Sequence, residues 1–533
     1  MFRSFPDSCR GKVFPATALL ALIAVSLFFY SLTWGDKVVG YLSDDAIYLL
    51  MAEMFSPWHH ATGLVFEMLR QEHHFPPLYP VMLGLLGADS QTPALAAAVS
   101  TALLILAVAA FGTWIYRDSG KRLAAVGLPL LFAVLPGTII FTQGLWSEFL
   151  FMAFFYGALA LIADRQPEPG HWLACSLFIA LTAVTRAVGV ALIAGYGLYL
   201  FLQRPRRWLL YLLVAALPFV YWVGFINIRA VDHGYFGVLL QALAGGDHAG
   251  GALFHDLAAK AATLYGAWRW QFLVGGGRAG GPLIDAILIL LLLAALAGFC
   301  RRLYHRRLDA LCLVFYGITV LLWPFSALNF ESRFLFPLMP LLLFYIVQAF
   351  ERPFPAPAAR HAAIGVWLAL LLVLATPSTL FLLRRAYASV PPPLAPYTHD
   401  RAWFYSKTLD DALASARGSR ELFHALRSIQ AMVPDTDCVY SFHTALVMFY
   451  THRISGVLPP PSASADAFTH GTRGCHYMVA LPLTSINNDY PKFYPLARII
   501  GDSRYAILPI LPRNAGPGDK PVLYLIRRKN GAG

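Results

Sequence analysis

The chain has 533 residues, of which 58% are apolar and 13% charged, whereas a soluble globular protein carries roughly 25% charged residues. Its polar residues are bunched between long apolar runs, which excludes an ordinary soluble enzyme and describes a polytopic membrane protein. The net charge of +12 sits in short Lys and Arg clusters at the ends of apolar segments, where it orients a membrane protein, so nucleic acid is not an implied partner.

The first apolar stretch, Val13 to Trp34, follows Arg3, Arg10 and Lys12. No small-x-small cleavage site closes it, and at about 20 residues it can cross the hydrocarbon core. It is expected to be an uncleaved first span with its N-terminus in the cytoplasm. Further apolar runs lie at 93–116, 123–142, 147–163, 172–186, 187–202, 208–227, 282–300, 310–328, 334–350 and 362–383, giving eleven spans. The stretch from Trp172 to Leu202 is either one over-long helix or a hairpin broken at Arg186. A hairpin puts Arg204, Arg206 and Arg207 in the cytoplasm with Arg301, Arg302, Arg306 and Arg307 and with Arg117, Lys121 and Arg122, so charge parity selects it. The alternation then places 35–92, 227–281 and the chain beyond 384 on the outer, periplasmic side of the inner membrane.

The first outer loop opens with Ser43-Asp44-Asp45-Ala46-Ile47-Tyr48. Ser43 fits a helix N-cap with two acids in the first turn. Two adjacent acids just beyond a span also suit a carboxylate meeting a hydroxyl substrate from the outer compartment. The loop carries His59, His60, His73 and His74, with Glu67 and Glu72 between the pairs; a divalent metal is conceivable there, although adjacent His pairs lack the usual ligand spacing. It closes with Phe75-Pro76-Pro77-Leu78-Tyr79-Pro80, where prolines impose an extended return to the membrane.

Later outer-face positions put ionisable residues at helix ends: Ser147-Glu148, Thr185-Arg186 and Asn329-Phe330-Glu331-Ser332-Arg333-Phe334. A charge at the bilayer centre costs about 3 kcal/mol on insertion scales, so these residues need the interface, a wet cavity or one another. Ion pairs of Glu148 or Glu331 with Arg186 or Arg333 are the structural alternative to a functional role. The loop at 227–281, with Gly245-Gly246, Gly250-Gly251, Gly275-Gly276-Gly277 and Gly280-Gly281, has no phosphate-loop pattern and reads as a flexible lid with interfacial amphipathic stretches. After Pro391-Pro392-Pro393, a linker, the tail alternates strand-like runs (Cys438–Phe442, His476–Leu481, Tyr505–Ile510, Val522–Ile526) with helical spacing at Ser419–Met432 and Thr444–Tyr450. The expected architecture is an all-α membrane domain over 1–383 and a soluble α/β domain over 384–533. Cys438 and Cys475 are the two cysteines of that outer domain, each at or just before a strand, and neighbouring parallel strands would let them bond.

In this order, Asp44-Asp45 with Tyr48 and Ala52, Pro76-Pro77-Leu78-Tyr79, Ser147-Glu148-Phe149-Leu150-Phe151, Leu181-Thr182-Ala183-Val184-Thr185-Arg186 and Arg333-Phe334-Leu335-Phe336-Pro337 resemble the GT-C superfamily of membrane glycosyltransferases. The branch most resembled is that of the protein O-mannosyltransferases and the lipid A aminoarabinose transferases. The resemblance implies a sugar donor on a polyprenyl phosphate, a lipid, protein or glycan acceptor, membrane lipids around the spans, and inversion at the anomeric carbon. It also implies that Asp44, with Asp45 beside it, is the catalytic carboxylate. Several relatives have a Lys before the Pro-Pro pair to hold the donor phosphate; here that residue is Phe75. Arg333, then Arg186 or His74, would have to supply that charge, with Glu148, Glu331 and Tyr79 in support. A transporter or lipid flippase is the alternative from another class, although no inverted repeat is visible.

Overall fold

The computed structural model describes residues 7–35, 37–40, 44–71, 75–163, 167–227, 250–274, 281–323, 328–350, 357–399, 401–459, 463–481, 496–513, 516 and 520–529. Among the described residues each of the eleven apolar runs contains a helix, and the run 123–142 is broken into two at Leu135. Among the described residues, five helices are long and apolar enough to cross a membrane: Pro15–Thr33, Pro93–Ser119, Pro282–Tyr304, Glu331–Phe350 and His361–Ala386. Six shorter apolar helices accompany them, Arg122–Val134, Ser147–Leu161, Pro169–Thr185, Ala187–Gln203, Trp208–Gly224 and Leu308–Leu322. The protein is a multi-pass membrane protein. Proline opens three of these helices, at Pro93, Pro169 and Pro282, where its missing N–H has no partner to lose.

The stretch from Trp172 to Leu202 is a hairpin. The helix ends at Thr185, Arg186 is extended (φ −146°, ψ 137°), and a 3-10 turn at Ala187–Gly189 starts the return. Partners recede from Arg186 in step: a Cβ on Gly189 would touch Ala183, Tyr196 Oη lies 3.0 Å from Ser176 Oγ, and the Tyr199 ring lies 5.9 Å from that of Trp172.

The helix ends form two polar layers. In one, Arg302 donates to Asp309 (Nε to Oδ2, 2.6 Å) and to Asp118 (Nη1 to Oδ2, 2.8 Å). Its guanidinium lies over the rings of Phe344 and Trp114, and Tyr345 Oη donates to Asp309 at 2.8 Å. The opposite layer carries the short helices Asp44–Glu53, Gly63–Gln71 and Leu78–Leu85 and the C-terminal residues.

Those residues form an α/β unit. Among the described residues its sheet has five strands, β1 (Val439–Ser441), β2 (Ser455–Val457), β3 (Tyr477–Ala480), β4 (Tyr505–Ile510) and β5 (Leu523–Arg528), in the order β2-β1-β3-β5-β4. β1 runs parallel to β2 and β3, and β5 antiparallel to β3 and β4. Strand alternation divides β3 between two cores: Tyr477 and Val479 join the main core, Met478 and Ala480 a smaller one with Leu458, Phe468 and Ile526. Four of the strands match the expected runs. The helix expected over Ser419–Met432 starts earlier, at Leu409, where Thr408 and Asp411 form a capping box.

The helix through residue 383 continues to Ala386, and the prolines read as a linker lead into a 3-10 turn, Pro392–Tyr397, with Leu394 and Tyr397 buried. Val38 N donates to Pro396 O at 3.2 Å, and Tyr450 Oη to Val39 O at 2.5 Å. The C-terminal unit is thus docked onto the segment between the first span and Asp44.

Cys438 and Cys475 are bonded, with Cα atoms 5.0 Å apart across a sequence separation of 37 residues, because β1 and β3 are parallel neighbours. Closing a loop of that length stabilises by about 4 kcal/mol in the chain-entropy account. Replacing both cysteines with serine is expected to cost the C-terminal unit roughly 2–4 kcal/mol, read by thermal unfolding. Neither cysteine should take a thiol reagent before reduction.

Candidate active site

The Asp44–Glu53 helix begins four residues after Gly40, and its first two carboxylates diverge as adjacent helical positions must. Asp45 turns inward and is 5% exposed. Its Oδ2 accepts from Gly40 N and its Oδ1 from Ala46 N, both at 2.9 Å. Gly40 has φ +103°, and a Cβ there would stand 2.2 Å from Leu446 Cδ1, so glycine lets this N–H reach Asp45 beneath the C-terminal unit. Burial pushes the Asp45 carboxyl up to about 6. Asp44 instead points to Arg333, whose Nη1 donates to Asp44 Oδ2 at 2.7 Å. Ser43, the expected cap, lies outside the described residues.

Glu148, in the first turn of the Ser147–Leu161 helix, is fully buried. Its Oε1 lies 2.5 Å from Arg186 Nη1 and accepts from Arg333 Nε at 2.9 Å. Arg186 is the extended residue of the hairpin turn, and that break in the helix delivers the guanidinium to Glu148. Arg333, in the Leu328–Leu335 helix, lies over the Trp146 ring, 4.6 Å from its centroid. Ser147 Oγ lies 3.1 Å from Tyr48 Oη and accepts from Arg186 Nη1 at 3.4 Å. The rings of Tyr79 and Phe75 meet Tyr48 edge-on, at 4.9 and 5.6 Å. Burial raises the Tyr48 and Tyr79 hydroxyls further above neutral pH, so both stay protonated.

Asp44, Glu148, Arg186 and Arg333, spread over 290 residues of chain, therefore meet as one chain of ion pairs, two acids to two cations. The expected pairing holds for Glu148 with both arginines and fails for Glu331. Glu331 pairs with Lys260 at 2.5 Å, because it lies two residues before Arg333 on its short helix and so faces another way. Lys260 comes from Gly250–Phe272, within the expected lid. That helix is packed down, with Trp268 Nε1 donating to Leu288 O (3.1 Å) and Arg269 Nε to Asp285 Oδ1 (2.9 Å). The rest of the lid, 228–249 and 275–280, lies outside the described residues. Lys260 had one sequence signal, a single cation in the small-residue run Leu257-Ala258-Ala259-Lys260-Ala261-Ala262.

The histidines do not converge on these groups. His59 Nδ1 lies 2.6 Å from Asp89 Oδ2, while His73 and His74, the latter a candidate phosphate ligand, lie outside the described residues. Among the described residues, no group of three His, Cys, Asp or Glu side chains, His60 included, is placed to hold a metal ion.

No protein-family model and no curated protein matches the chain. It is similar to solved structures. ArnT from Cupriavidus metallidurans bound to undecaprenyl phosphate is 14% identical with a TM-score of 0.49, over 97% of this chain and 99% of that one. The apo state of the same protein is 15% identical with a TM-score of 0.45, over 95% and 97%. The archaeal oligosaccharyltransferase AglB from Archaeoglobus fulgidus, in complex with an inhibitory peptide and a dolichol-phosphate, is 13% identical with a TM-score of 0.47, over 90% and 72%. At such identities none of them assigns a role to a side chain here.

Two outcomes test this arrangement. Glu148→Gln leaves two half-buried guanidiniums short of a fully buried carboxylate and is expected to cost roughly 3 kcal/mol, seen as a lower unfolding midpoint in detergent. The raised folded-state pKa of Asp45 favours its neutral form, so its contribution is complete below about pH 4 and is lost as pH rises through 6. Unfolding midpoints measured across pH 4–7 should therefore fall in the wild type by the equivalent of about 3 kcal/mol relative to Asp45→Asn.

Proposed function

We propose that the protein transfers a sugar from a polyprenyl-phosphate donor to a hydroxyl-bearing acceptor on the outer face of the inner membrane. The observation that carries this reading is the pairing of Asp44 with Arg333. Their side chains are 16% and 18% exposed, while the Glu148 that shares Arg333 is fully enclosed. One carboxylate is thus open to an incoming hydroxyl, beside a cation held in place from behind.

An acceptor hydroxyl is a poor nucleophile at neutral pH. Asp44 takes its proton as the oxygen attacks the anomeric carbon, the bond from that carbon to the donor phosphate oxygen breaks, and the polyprenyl phosphate leaves with the electron pair. Inversion follows from attack opposite the leaving group. The charges move together: once Asp44 is neutral, Arg333 loses a counter-ion as negative charge builds on the phosphate. Glu148 holds the guanidinium at Nε, so the cation need not be repositioned in the reaction. Asp45, both of whose oxygens are taken by backbone N–H groups, sets the backbone from which Asp44 projects. The apolar helices hold the lipid tail. The N-terminus is cytoplasmic and the C-terminal unit periplasmic in this reading, and parity of the basic clusters supports it.

A transporter or flippase needs two compartments and consumes no donor, so turnover of a polyprenyl-phosphate sugar by purified protein in detergent separates the readings. Asp44→Asn should lower that turnover by about 100 to 10,000-fold while leaving the unfolding midpoint and donor binding nearly unchanged. Asp45→Asn should keep measurable turnover, and Arg333→Ala should weaken donor binding. If both Asp variants stay fully active, the mechanism is wrong.

A further inference from the structure

Arg333 projects from a helix of only eight residues, Leu328–Leu335. A helix that short gains little from its own hydrogen bonds and takes its direction from what fastens it. On the C-terminal side of Arg333 two tyrosines do so: Tyr316 Oη donates to Phe334 O at 2.9 Å, and Tyr156 Oη to Pro337 O at 2.7 Å. On the N-terminal side stands Lys260, whose ammonium pairs with Glu331 Oε1 at 2.5 Å and donates to Trp323 O at 3.0 Å.

Trp323 caps the C-terminal end of the Leu308–Leu322 helix, where a carbonyl has no partner within its own helix and a cation is favoured. One ammonium therefore joins the end of that helix to the first turn of the next. Lys260 is 5% exposed, whereas Ala258, Ala259, Ala261 and Ala262 on either side of it are exposed, so on this turn the lysine alone reaches inward. Enclosing it costs hydration and side-chain freedom. Apolar residues in place of a buried ion pair are often just as stable, so stability alone does not account for the pair. Geometry does. Glu331 and Arg333, two residues apart, point about 200° away from each other on their helix. Lys260 grips one side of it, and Glu148 and Asp44 grip the other.

We propose that Lys260 is a positioning residue for Arg333: it fixes the rotation of the Leu328–Leu335 helix, and through that helix the guanidinium that faces Asp44. On the transferase reading, on which this inference rests, a guanidinium turned away meets the leaving phosphate out of place. Misplacing a catalytic group by about 1 Å costs up to about 100-fold in rate.

The test uses the full chain purified in detergent and measures kcat/KM for turnover of a polyprenyl-phosphate sugar together with the unfolding midpoint. Lys260→Met leaves Glu331 buried without its counter-ion and should lower both, while Lys260→Arg, which can span the same two acceptors, should keep most of the turnover. The deciding variant is Lys260→Met with Glu331→Gln, which leaves neither charge buried alone and should unfold near the wild-type midpoint. Its kcat/KM should still fall about 10 to 100-fold. In an Arg333→Lys background the same double change should cost less than about threefold more, because the residue it acts through is already altered. If Lys260→Met does not fold, the double variant carries the test. Near-wild-type kcat/KM in the double variant, or an equal loss in both backgrounds, overturns the inference and leaves the transferase reading to the Asp44→Asn result. A wild type that turns over no polyprenyl-phosphate sugar overturns the transferase reading and this inference with it.

Discussion

Arg333 is held by two carboxylates at once, Nε on Glu148 and Nη1 on Asp44, and the end of the helical bundle is organised by that sharing. Ions at the edge of an apolar bundle lose several kcal/mol of hydration each, and only close opposite charges with satisfied hydrogen bonds recover it. Glu148 alone, with no exposure, would be untenable. With Arg186 on one side and Arg333 on the other, it is a fixed negative point around which the hairpin turn, the Ser147–Leu161 helix and the broken helix at Leu328–Leu335 take their positions.

The other polar layer shows what a purely structural version of this chemistry looks like. Arg302 also serves two carboxylates, but Asp118 and Asp309 leave almost nothing exposed, and aromatic rings cover the guanidinium. A network closed in that way resists change and meets no solute. At Asp44 the pairing is the same and the enclosure incomplete, so one carboxylate keeps a face toward solvent. The two layers therefore differ in exposure and not in the presence of charges among apolar helices.

Much of this was legible in the sequence, for identifiable reasons. Apolar length gave the spans, and charge parity gave the hairpin at Arg186, since both depend on local composition and on the membrane as a common reference. The Cys438–Cys475 bond followed from two strands being neighbours. Partner choice was harder. Glu331 reads as a mate for an arginine because it lies near Arg333, yet its actual partner, Lys260, sits 71 residues earlier in a glycine-flanked stretch that reads as flexible from sequence. Strand β2 (Ser455-Gly456-Val457) was missed because three residues with a serine and a glycine carry no alternation; it forms by pairing with β1. Of the two aspartates, sequence adjacency could not say which turns inward, because Gly40 and the C-terminal unit decide it.

That dependence on the C-terminal unit bears on when the centre comes into being. Tyr450 grips the carbonyl of Val39 from 411 residues away, and Leu446 fills the space that Gly40 leaves open. A ribosome delivers the spans to the membrane in order, and domains fold largely as they emerge. The segment bearing the two aspartates is therefore inserted among the first and locked among the last. Until the residues around Leu446 and Tyr450 have been made and docked, the nascent protein is a helical bundle in which Asp45 lacks its final setting.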